Sequence, residues 1–372
     1  MDQKSAAGNG SLGLVVVGLG RVGSSLLAGI EAARAHLVHP WGSLVEAGGW
    51  GRGPENTGSP LRATASLAEL GDLVLGAFEL REDDAYRAAL RAGLVSRAVL
   101  DELRGKLCPV RAMAGARQAP TRRHLADAIA EDLRGFLAHN HCARGVVVCT
   151  IPGARTAAPK KAFTSAELLA ALEEGAEWVT PSLVYATAAA QAGFSFVAAS
   201  EDGALTAPGL SALFEEARLP IAGAGLLGPD AALREALAQV LGDEGLGLVG
   251  ATSLSTRAQE RGTQLWGGPD RTQEMALASA WAGGSLELSV ELRGPVALYL
   301  AARALDAALL LDFATRAGRR GAQEYLDALF VQRLSGAAPR AAHGQTIAAR
   351  RKRLLAELPS LTEAALRNSR AA

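Results

Sequence analysis

The sequence predicts an α/β protein with a parallel sheet covered by helices on both faces, and a smaller α+β domain. Three observations lead to this fold class. Short apolar runs of strand length alternate with helical patterns through the first 200 residues. A glycine-rich turn joins the first of these strands to the first helix. Residues 285–293 (SLELSVELR) alternate strictly between apolar and polar side chains, which is typical of a strand with one solvated face.

The first strand is predicted at residues 12–17 (LGLVVV), and SSLLAGIEAARA from residue 24 onward reads as a helix. The turn between them has the GxGxxG spacing of a dinucleotide-binding loop. In such a loop the first glycine permits a tight turn, the second lets the backbone approach a pyrophosphate, and the third lets helix and strand pack closely. The helix N-terminus then offers N–H groups to the phosphates. The alternative is a tight turn without a ligand. The candidate cofactor-binding residues are Gly18, Leu19, Gly20, Arg21, Val22 and Gly23.

The later elements follow the same alternation. Thr164 and Glu167 form a capping-box pattern before the helix LLAAL. The glycine-rich residues 48–59 (GGWGRGPENTGS) are interpreted as a surface loop, because no helix follows them directly. Further strands are predicted at residues 73–76 and 146–149, and further helices at residues 83–91, 96–107, 123–137 and 296–317.

The composition argues against several classes of binding partner. The 38 basic residues balance the 38 acidic ones, so no nucleic-acid partner or anionic membrane is expected. The three cysteines have no metal-ligand spacing, and no metal site is expected. Residues 1–11 are polar, glycine-rich and predicted to be flexible, and no apolar run approaches the ~20 residues of a membrane span. We therefore expect a cytoplasmic protein.

The distribution of reactive side chains is uneven. No lysine lies between Lys161 and Lys352, no histidine lies between His141 and His343, and the last cysteine is Cys149. Half of the chain thus lacks the side chains that most often serve as bases, Schiff-base amines or thiol nucleophiles near neutral pH. Arginine does not replace lysine in proton transfer, because it stays charged.

Several stretches together resemble the myo-inositol-1-phosphate synthase family. GAFELREDDAYRAALRAGLVS (76–96) is similar to the family's GGWDI-x-x-x-D-x-Y-x-x-A segment, and PSLVYATAAAQAGFSFV (181–197) is similar to PSMIYAYAAL-x-x-G-x-P-F. The resemblance extends in order over about residues 12–335, and also includes HPWGSLVEAGG (39–49), LADAIAEDLRGFLAHNHCARGVVV (125–148) and LLLDFATRAGRRGAQEYLDALF (309–330), the last resembling the family's C-terminal helices.

This resemblance implies a Rossmann-type NAD-binding domain at residues 12–200 and 300–372. It also implies an α+β domain at residues 201–299 that carries substrate contacts and tetramer contacts. In the family, NAD oxidises C5 of glucose 6-phosphate, C6 attacks C1 after a proton is lost, and the ring ketone is reduced by the NADH just made. Each step develops negative charge on oxygen, which the family stabilises with lysines, each worth ~3–4 kcal/mol of barrier.

When the family's functional positions are carried over residue by residue, some are kept in this sequence and others are replaced. The glycine loop is kept, and Glu79 takes the place of the aspartate that meets the adenosine ribose. The family's G-x-D-x-K-[ST]-G-Q-T-x-x-K motif falls on residues 223–234. Its aspartate corresponds to Gly225, its first lysine to Leu227 and its second lysine to Arg234, the one position that keeps a charge. The N-x-S-T-E turn has become residues 151–154 (IPGA).

Three functions are therefore weighed. The chain is interpreted as a non-catalytic, oligomeric member of this NAD-dependent isomerase family that keeps a nucleotide site, with ordinary synthase activity lost. The alternative is an enzyme of altered chemistry on a related phosphosugar or cyclitol. The ordinary synthase is disfavoured by the lost lysines. The alternative would use the arginines Arg234, Arg257, Arg261 and Arg271 for phosphate, and Asp230, Asp270, Glu260 or Tyr299 as acids and bases.

Overall fold

The structure is a computed structural model and describes residues 10–48, 59–115, 118–153, 164–256, 259–261, 264–266, 271–334 and 346–371. Its strands are β1 Ser11–Val17, β2 Leu73–Glu79, β3 Ala112–Ala114, β4 Cys142–Cys149, β5 Phe194–Ala198, β6 Pro220–Gly223, β7 Gly247–Thr256, β8 Gln259–Arg261, β9 Gln264–Trp266, β10 Arg271–Ser279, β11 Ser285–Arg293 and β12 Gly321–Ala322. Its α-helices are α1 Arg21–Arg34, α2 Ala85–Ala92, α3 Arg97–Leu107, α4 Arg122–His139, α5 Ser165–Glu174, α6 Pro181–Ala192, α7 Pro208–Glu216, α8 Pro229–Asp243, α9 Val296–Arg316 and α10 Ile347–Ala371.

The chain divides into two compact units. Unit 1 contains Met1–Leu226 and Ala301–Ala372, and unit 2 contains Leu227–Leu300. Unit 2 thus begins later than residue 201, where the resemblance placed the boundary. The reason is that β6 pairs with β5 and α7 packs on β6 and β12, so residues 201–226 belong with the large sheet.

Unit 1 is built on a seven-stranded sheet in the order β12-β6-β5-β4-β1-β2-β3. Every neighbouring pair in it is parallel, which confirms the predicted parallel sheet. The apolar side chains of β1, such as Leu14 and Val16, are fully buried, as expected for a strand covered on both faces. The strand order reverses direction between β1 and β4, and in open α/β sheets ligands bind at the carboxyl ends of strands at such a point.

Several predicted elements are found at or close to their predicted bounds. The strand at residues 285–293 is β11, and the predicted capping box is present, with Thr164 and Glu167 each bonded to the other's backbone N–H. Residues 49–58 of the glycine-rich loop and residues 1–9 of the N-terminus lie outside the described part of the chain. The N-terminus predicted to be flexible overlaps β1 at Ser11.

The helix predicted at residues 296–317 is α9, Val296–Arg316, and the rest of the stretch that resembles the family's C-terminal helices is not α-helical. Gly318 and Gly321 have φ values of +74° and +65°, which end the helix because side-chain-bearing residues rarely adopt them. The chain then forms β12, which pairs with β6, and a 3₁₀ helix at Glu324–Leu329.

The HPWG segment (39–42) leads into a turn that is fixed to α9 by a buried carboxylate. Asp306 accepts hydrogen bonds from the Ser43 hydroxyl at 2.6 Å and from the backbone N–H groups of Leu44 and Val45 at 2.8 and 3.1 Å. Burial raises the pKa of Asp306 above its usual value, and Arg303 opposes that effect. This segment therefore has a structural role within unit 1.

Unit 2 contains a three-stranded antiparallel sheet in the order β11-β10-β7 and a two-stranded β8–β9 hairpin. Helix α8 packs on one face of the larger sheet, where Leu241, Ala276 and Ala278 form a small core. None of the described helices is long and apolar enough to cross a membrane.

Candidate functional site

The glycine loop lies at the carboxyl end of β1, where the strand order reverses. Gly18 has a φ of +91° and donates its N–H to the Phe78 carbonyl at 2.9 Å. A β-carbon on Gly23 would stand 2.1 Å from the Gly18 carbonyl oxygen, so α1 approaches the loop too closely for any side chain there. A β-carbon on Gly20 would meet no atom within 4 Å. The loop therefore leaves open space at the position where a pyrophosphate would approach.

Helix α1 begins directly at this open position. Gly20 is its N-cap and supplies no side-chain hydrogen bond to the first turn. Arg21 and Val22 follow as the first helical residues and are half-buried, while Leu19 is buried. Helix α1 has 14 residues, and no side chain caps its N-terminus. This end of the helix therefore presents backbone N–H groups and the positive end of the helix dipole, which suits an anion.

Glu79 is the last residue of β2 and reaches the glycine loop. One of its carboxylate oxygens accepts the Leu19 N–H at 2.7 Å, and the other accepts the Leu80 N–H at 2.7 Å. Each oxygen keeps a lone pair, so the held carboxylate still has capacity for the two hydroxyl donors of a ribose. The Glu79 carboxylate thus lies against the glycine loop, as the resemblance predicts for the residue at this position, and this arrangement of loop and carboxylate is compatible with a dinucleotide.

Thr150 follows β4 on the other side of the loop. Its hydroxyl donates to the Gly18 carbonyl at 2.7 Å and lies 3.1 Å from the Val17 carbonyl, and its N–H donates to Val17 at 2.9 Å. Sequence reasoning did not single out this residue, although its position directly after a buried central strand was a usable signal. In the turn at residues 151–154, which corresponds to the family's N-x-S-T-E turn, Ala154 lies outside the described residues.

Gly225, which the resemblance aligns with the family's aspartate, lies in a conformation and a contact that disfavour a side chain. Gly225 has a φ of +76°, and a β-carbon on it would stand 2.4 Å from Cγ of Glu201. The stem of Glu201 therefore covers the position. Leu227, the lost lysine position, is a half-buried apolar residue at the start of unit 2.

Arg234 on α8 forms an ion pair within unit 2. Its Nε and Nη2 atoms donate to the two carboxylate oxygens of Glu274 on β10 at 3.1 and 3.2 Å. Glu274 is 1% exposed, whereas Arg234 is 47% exposed. The hydrogen bonds to Glu274 raise the pKa of Arg234. The arginine is thus the counter-ion of a buried carboxylate and is committed to that role.

The remaining candidates of the alternative function are only partly described. Asp230 lies in the first turn of α8, and Tyr299 lies in the first turn of α9. Arg257 and Asp270 lie outside the described residues, and the side chains of Glu260, Arg261 and Arg271 are not described.

A second polar cluster, which sequence reasoning missed, surrounds Asp327 in unit 1. The Asp327 carboxylate pairs with Arg333, and with Arg353 of α10 at 3.2 Å. Arg350 of α10 donates to the carbonyls of Asp327 and Phe330, each at 3.1 Å. Burial raises the pKa of Asp327 to about 6, although the three arginines lower it. Arg350 and Arg353 lie 17 and 20 residues after Arg333, on a different element, so no local motif could have indicated this cluster.

A small cavity lies beside this cluster, at the carboxyl ends of β6 and β12. It is partly open to solvent and has room for little more than one water molecule. Its polar lining is Gln323, Glu324, Asp327 and Arg333, and the backbone of Gly223 forms part of its wall. Within the described residues, no group of three or more histidine, cysteine, aspartate or glutamate side chains could hold a metal ion.

Comparisons with known proteins agree on one family. A family model described as myo-inositol-1-phosphate synthase, built on an NAD-binding domain, matches residues 12–338. The inositol-3-phosphate synthase 1 of Bacteroides thetaiotaomicron is 25% identical over 391 residues, covering 88% of this chain and 90% of that protein.

Two solved structures share the fold. The inositol-3-phosphate synthase of Caenorhabditis elegans has a TM-score of 0.77 at 17% identity, covering 95% of this chain and 86% of its own. A myo-inositol-1-phosphate synthase-related protein from Thermotoga maritima has a TM-score of 0.69 at 13% identity, covering 94% of this chain and 98% of its own. The match to an NAD-binding family model supports NAD as the cofactor of this fold. The chain is a divergent member of the myo-inositol-1-phosphate synthase family.

Proposed function

We propose that the chain is an NAD-binding member of the family that does not carry out the ordinary cyclisation of glucose 6-phosphate. The observation that carries this proposal is the fate of the motif at residues 223–234. Its acidic position is covered by Glu201, its first cationic position is Leu227, and its second, Arg234, is bonded to Glu274.

The binding half of the proposal rests on the glycine loop. We expect the open face of Gly20 and the N-terminus of α1 to receive the pyrophosphate, and the Glu79 carboxylate to accept hydrogen bonds from the adenosine ribose. A carboxylate at this position also repels the extra phosphate of NADP, which favours NAD. When bound, NAD supplies hydride acceptance and donation; the chain's own residues position it.

The catalytic half concerns charge. Cyclisation of a phosphosugar creates alkoxide and enolate character beside a phosphate dianion, and preorganised cations stabilise such a transition state. Arg234 already neutralises the buried Glu274 through its Nε and Nη2 atoms, so turning these atoms toward an oxyanion would leave Glu274 buried without its counter-ion, which is unfavourable. We therefore infer that this position no longer serves the reaction.

A binding measurement tests the first half. Isothermal titration calorimetry should show NAD binding to the purified protein, and saturating NAD should raise the melting temperature, because a ligand that binds only the folded state stabilises it. Gly20→Val places a branched side chain in the open space and should abolish both effects, with a small loss in the melting temperature of the free protein because valine is a poorer N-cap than glycine. Absence of NAD binding by the wild-type protein would remove the cofactor claim.

A second candidate is an enzyme of altered chemistry on a related phosphosugar or cyclitol, and the pairing of Asp327 with Arg333 and Arg353 is the observation in its favour. A carboxyl group with a pKa of about 6 beside a guanidinium group is suited to acid–base work near neutral pH. The test is NADH formation at 340 nm with a panel of cyclitols and phosphosugars. Turnover that Asp327→Asn abolishes would favour this candidate; no turnover with any of them favours the non-catalytic protein.

We also propose that the protein is a cytoplasmic homotetramer that assembles through unit 2. All three cysteines are free thiols, as is usual in a reducing compartment. The sheet of unit 2 exposes Leu254 and Leu277, which are 58% and 42% exposed. Light scattering coupled to size exclusion should give four times the 38.3 kDa chain mass, and Leu254→Glu with Leu277→Glu should reduce it. A monomeric wild-type protein would contradict this proposal.

A further inference from the structure

The segment that follows β3 is pressed against the end of β2, where the candidate ribose-binding carboxylate lies. Gly115 donates its backbone N–H to the Glu79 carbonyl at 2.9 Å. A β-carbon on Gly115 would stand 3.0 Å from the backbone carbonyl of Glu79 and 2.8 Å from the hydroxyl of Tyr185. Gly115 is therefore fitted between the end of β2 and a side chain of α6.

Tyr185 reaches this segment from α6. Its hydroxyl donates to the Gly115 carbonyl at 2.6 Å, and its ring packs against Phe78, with centroids 5.5 Å apart and a tilt of 60°. Phe78 is the residue before Glu79, and its carbonyl accepts the Gly18 N–H. One buried tyrosine thus contacts both the residue before Glu79 and the residue that holds the Glu79 backbone.

These contacts form a continuous series from α6 to the glycine loop. The series runs from the Tyr185 hydroxyl to Gly115, from the Gly115 N–H to the backbone of Glu79, and from the Glu79 carboxylate to the Leu19 N–H. A group that fixes the carbonyl of Glu79 restrains the backbone from which its side chain extends. This matters because a ribose contact tolerates little misplacement of the carboxylate.

We propose that Tyr185 is a positioning residue for the adenosine half of the dinucleotide site, acting through Gly115 and Glu79. The inference rests on the proposed binding of NAD to the glycine loop. In this proposal Tyr185 acts on the ligand through the backbone of Gly115 and Glu79 and does not itself touch it.

The test is the affinity for NAD, ADP-ribose and nicotinamide mononucleotide, measured by calorimetry on the full chain. Tyr185→Phe removes one hydroxyl, and loss of its hydrogen bond should weaken NAD and ADP-ribose binding by about fivefold. Binding of nicotinamide mononucleotide, which lacks the adenosine half, should not change.

Tyr86→Phe is a matched control. Tyr86 and Tyr185 are both 6% exposed, and the Tyr86 hydroxyl also makes a side-chain hydrogen bond, to Asp101 at 2.5 Å. Tyr86 has no link to Gly115 among the contacts of the described residues. Its variant should lose stability to a similar degree and keep the wild-type affinity for NAD.

A double-mutant cycle distinguishes positioning from general loosening. In the Glu79→Ala background the penalty of Tyr185→Phe should fall below about twofold, since the carboxylate that it positions is gone. If Tyr185→Phe lowers the melting temperature more than Tyr86→Phe, Gly115→Ala replaces it in the cycle, with the same expectation.

The outcomes separate the two proposals. If the wild-type protein binds NAD and Tyr185→Phe binds it equally well, or with a penalty that is undiminished without Glu79, the role of Tyr185 is overturned and the proposed function stands. If the wild-type protein binds neither NAD nor ADP-ribose, both are overturned.

Discussion

At the scale of single residues, the most specific predictions concern Gly225, where the resemblance places an aspartate, and the buried Asp327. The sequence shows a glycine where the family has an aspartate, which alone suggests that the side chain could be put back. The structure contradicts that suggestion, because the backbone is left-handed there and the stem of Glu201 fills the space. Glu201 thus occupies the space that a side chain at residue 225 would need.

Gly225→Asp is therefore expected to destabilise the protein by about 1–3 kcal/mol in urea denaturation, since a non-glycine residue is strained at a φ of +76°. The double variant with Leu227→Lys should remain inactive with glucose 6-phosphate. Gly105→Ala on α3 is the control: its β-carbon would meet no atom within 4 Å, so it should raise stability by about 0.5–1 kcal/mol. Wild-type stability for Gly225→Asp would refute the steric account.

Asp327 predicts a pH dependence of stability. Its pKa is about 6 in the folded protein, and an exposed aspartate titrates near about 4. The folded protein binds this proton more tightly, so the stabilisation is fully present below about pH 4 and is lost as the pH rises through about 6. Between about pH 4 and pH 6 this group should lower the free energy of unfolding of the wild-type protein by up to about 2 kcal/mol. Asp327→Asn should not show that part of the decrease. Identical pH profiles would contradict the raised pKa.

At the scale of elements, the ion pair between α8 and β10 decides the role of the one retained cationic position. Arg234 was a candidate because its charge survives in the motif. The structure shows why charge alone was insufficient: the partner, Glu274, comes 40 residues later and lies on the helix-covered face of the sheet. A pairing of that kind depends on the register of β10 with its neighbours, which the sequence does not reveal.

Arg234→Met should destabilise the protein by about 2–4 kcal/mol, because Glu274 is left buried without a partner. The double variant Arg234→Met/Glu274→Met should recover most of the loss, since both charges are removed together. The measurement is urea denaturation followed by circular dichroism. An Arg234→Met protein that unfolds at the wild-type midpoint would show that the pair is not structural.

At the scale of the whole molecule, the sequence predicts the parallel sheet, the glycine loop and the strand at residues 285–293 correctly, because each depends on local pattern. It does not predict Thr150, the Asp327 cluster or the Tyr185 contacts, because these join side chains from distant elements. Nor does the sequence show that the helix predicted at residues 296–317 is followed by two glycines with positive φ and by a short strand, β12, that pairs with β6.

Family membership and the altered motif at residues 223–234 bear on different parts of the molecule's function, cofactor binding and catalysis. Unit 1 has a glycine loop with an acidic residue held against it, whereas at the positions that the resemblance aligns with the family's lysines, Leu227 is uncharged and Arg234 is paired with Glu274. We infer that binding and cyclisation have been separated in this chain.

The most direct test is to incubate the purified protein with glucose 6-phosphate and NAD and to follow the products by ³¹P nuclear magnetic resonance. The Bacteroides thetaiotaomicron relative, assayed in parallel, serves as the positive control. We expect no inositol phosphate from this chain while NAD binding is retained. Turnover within ~100-fold of the enzyme median of about 10 per second would contradict the account.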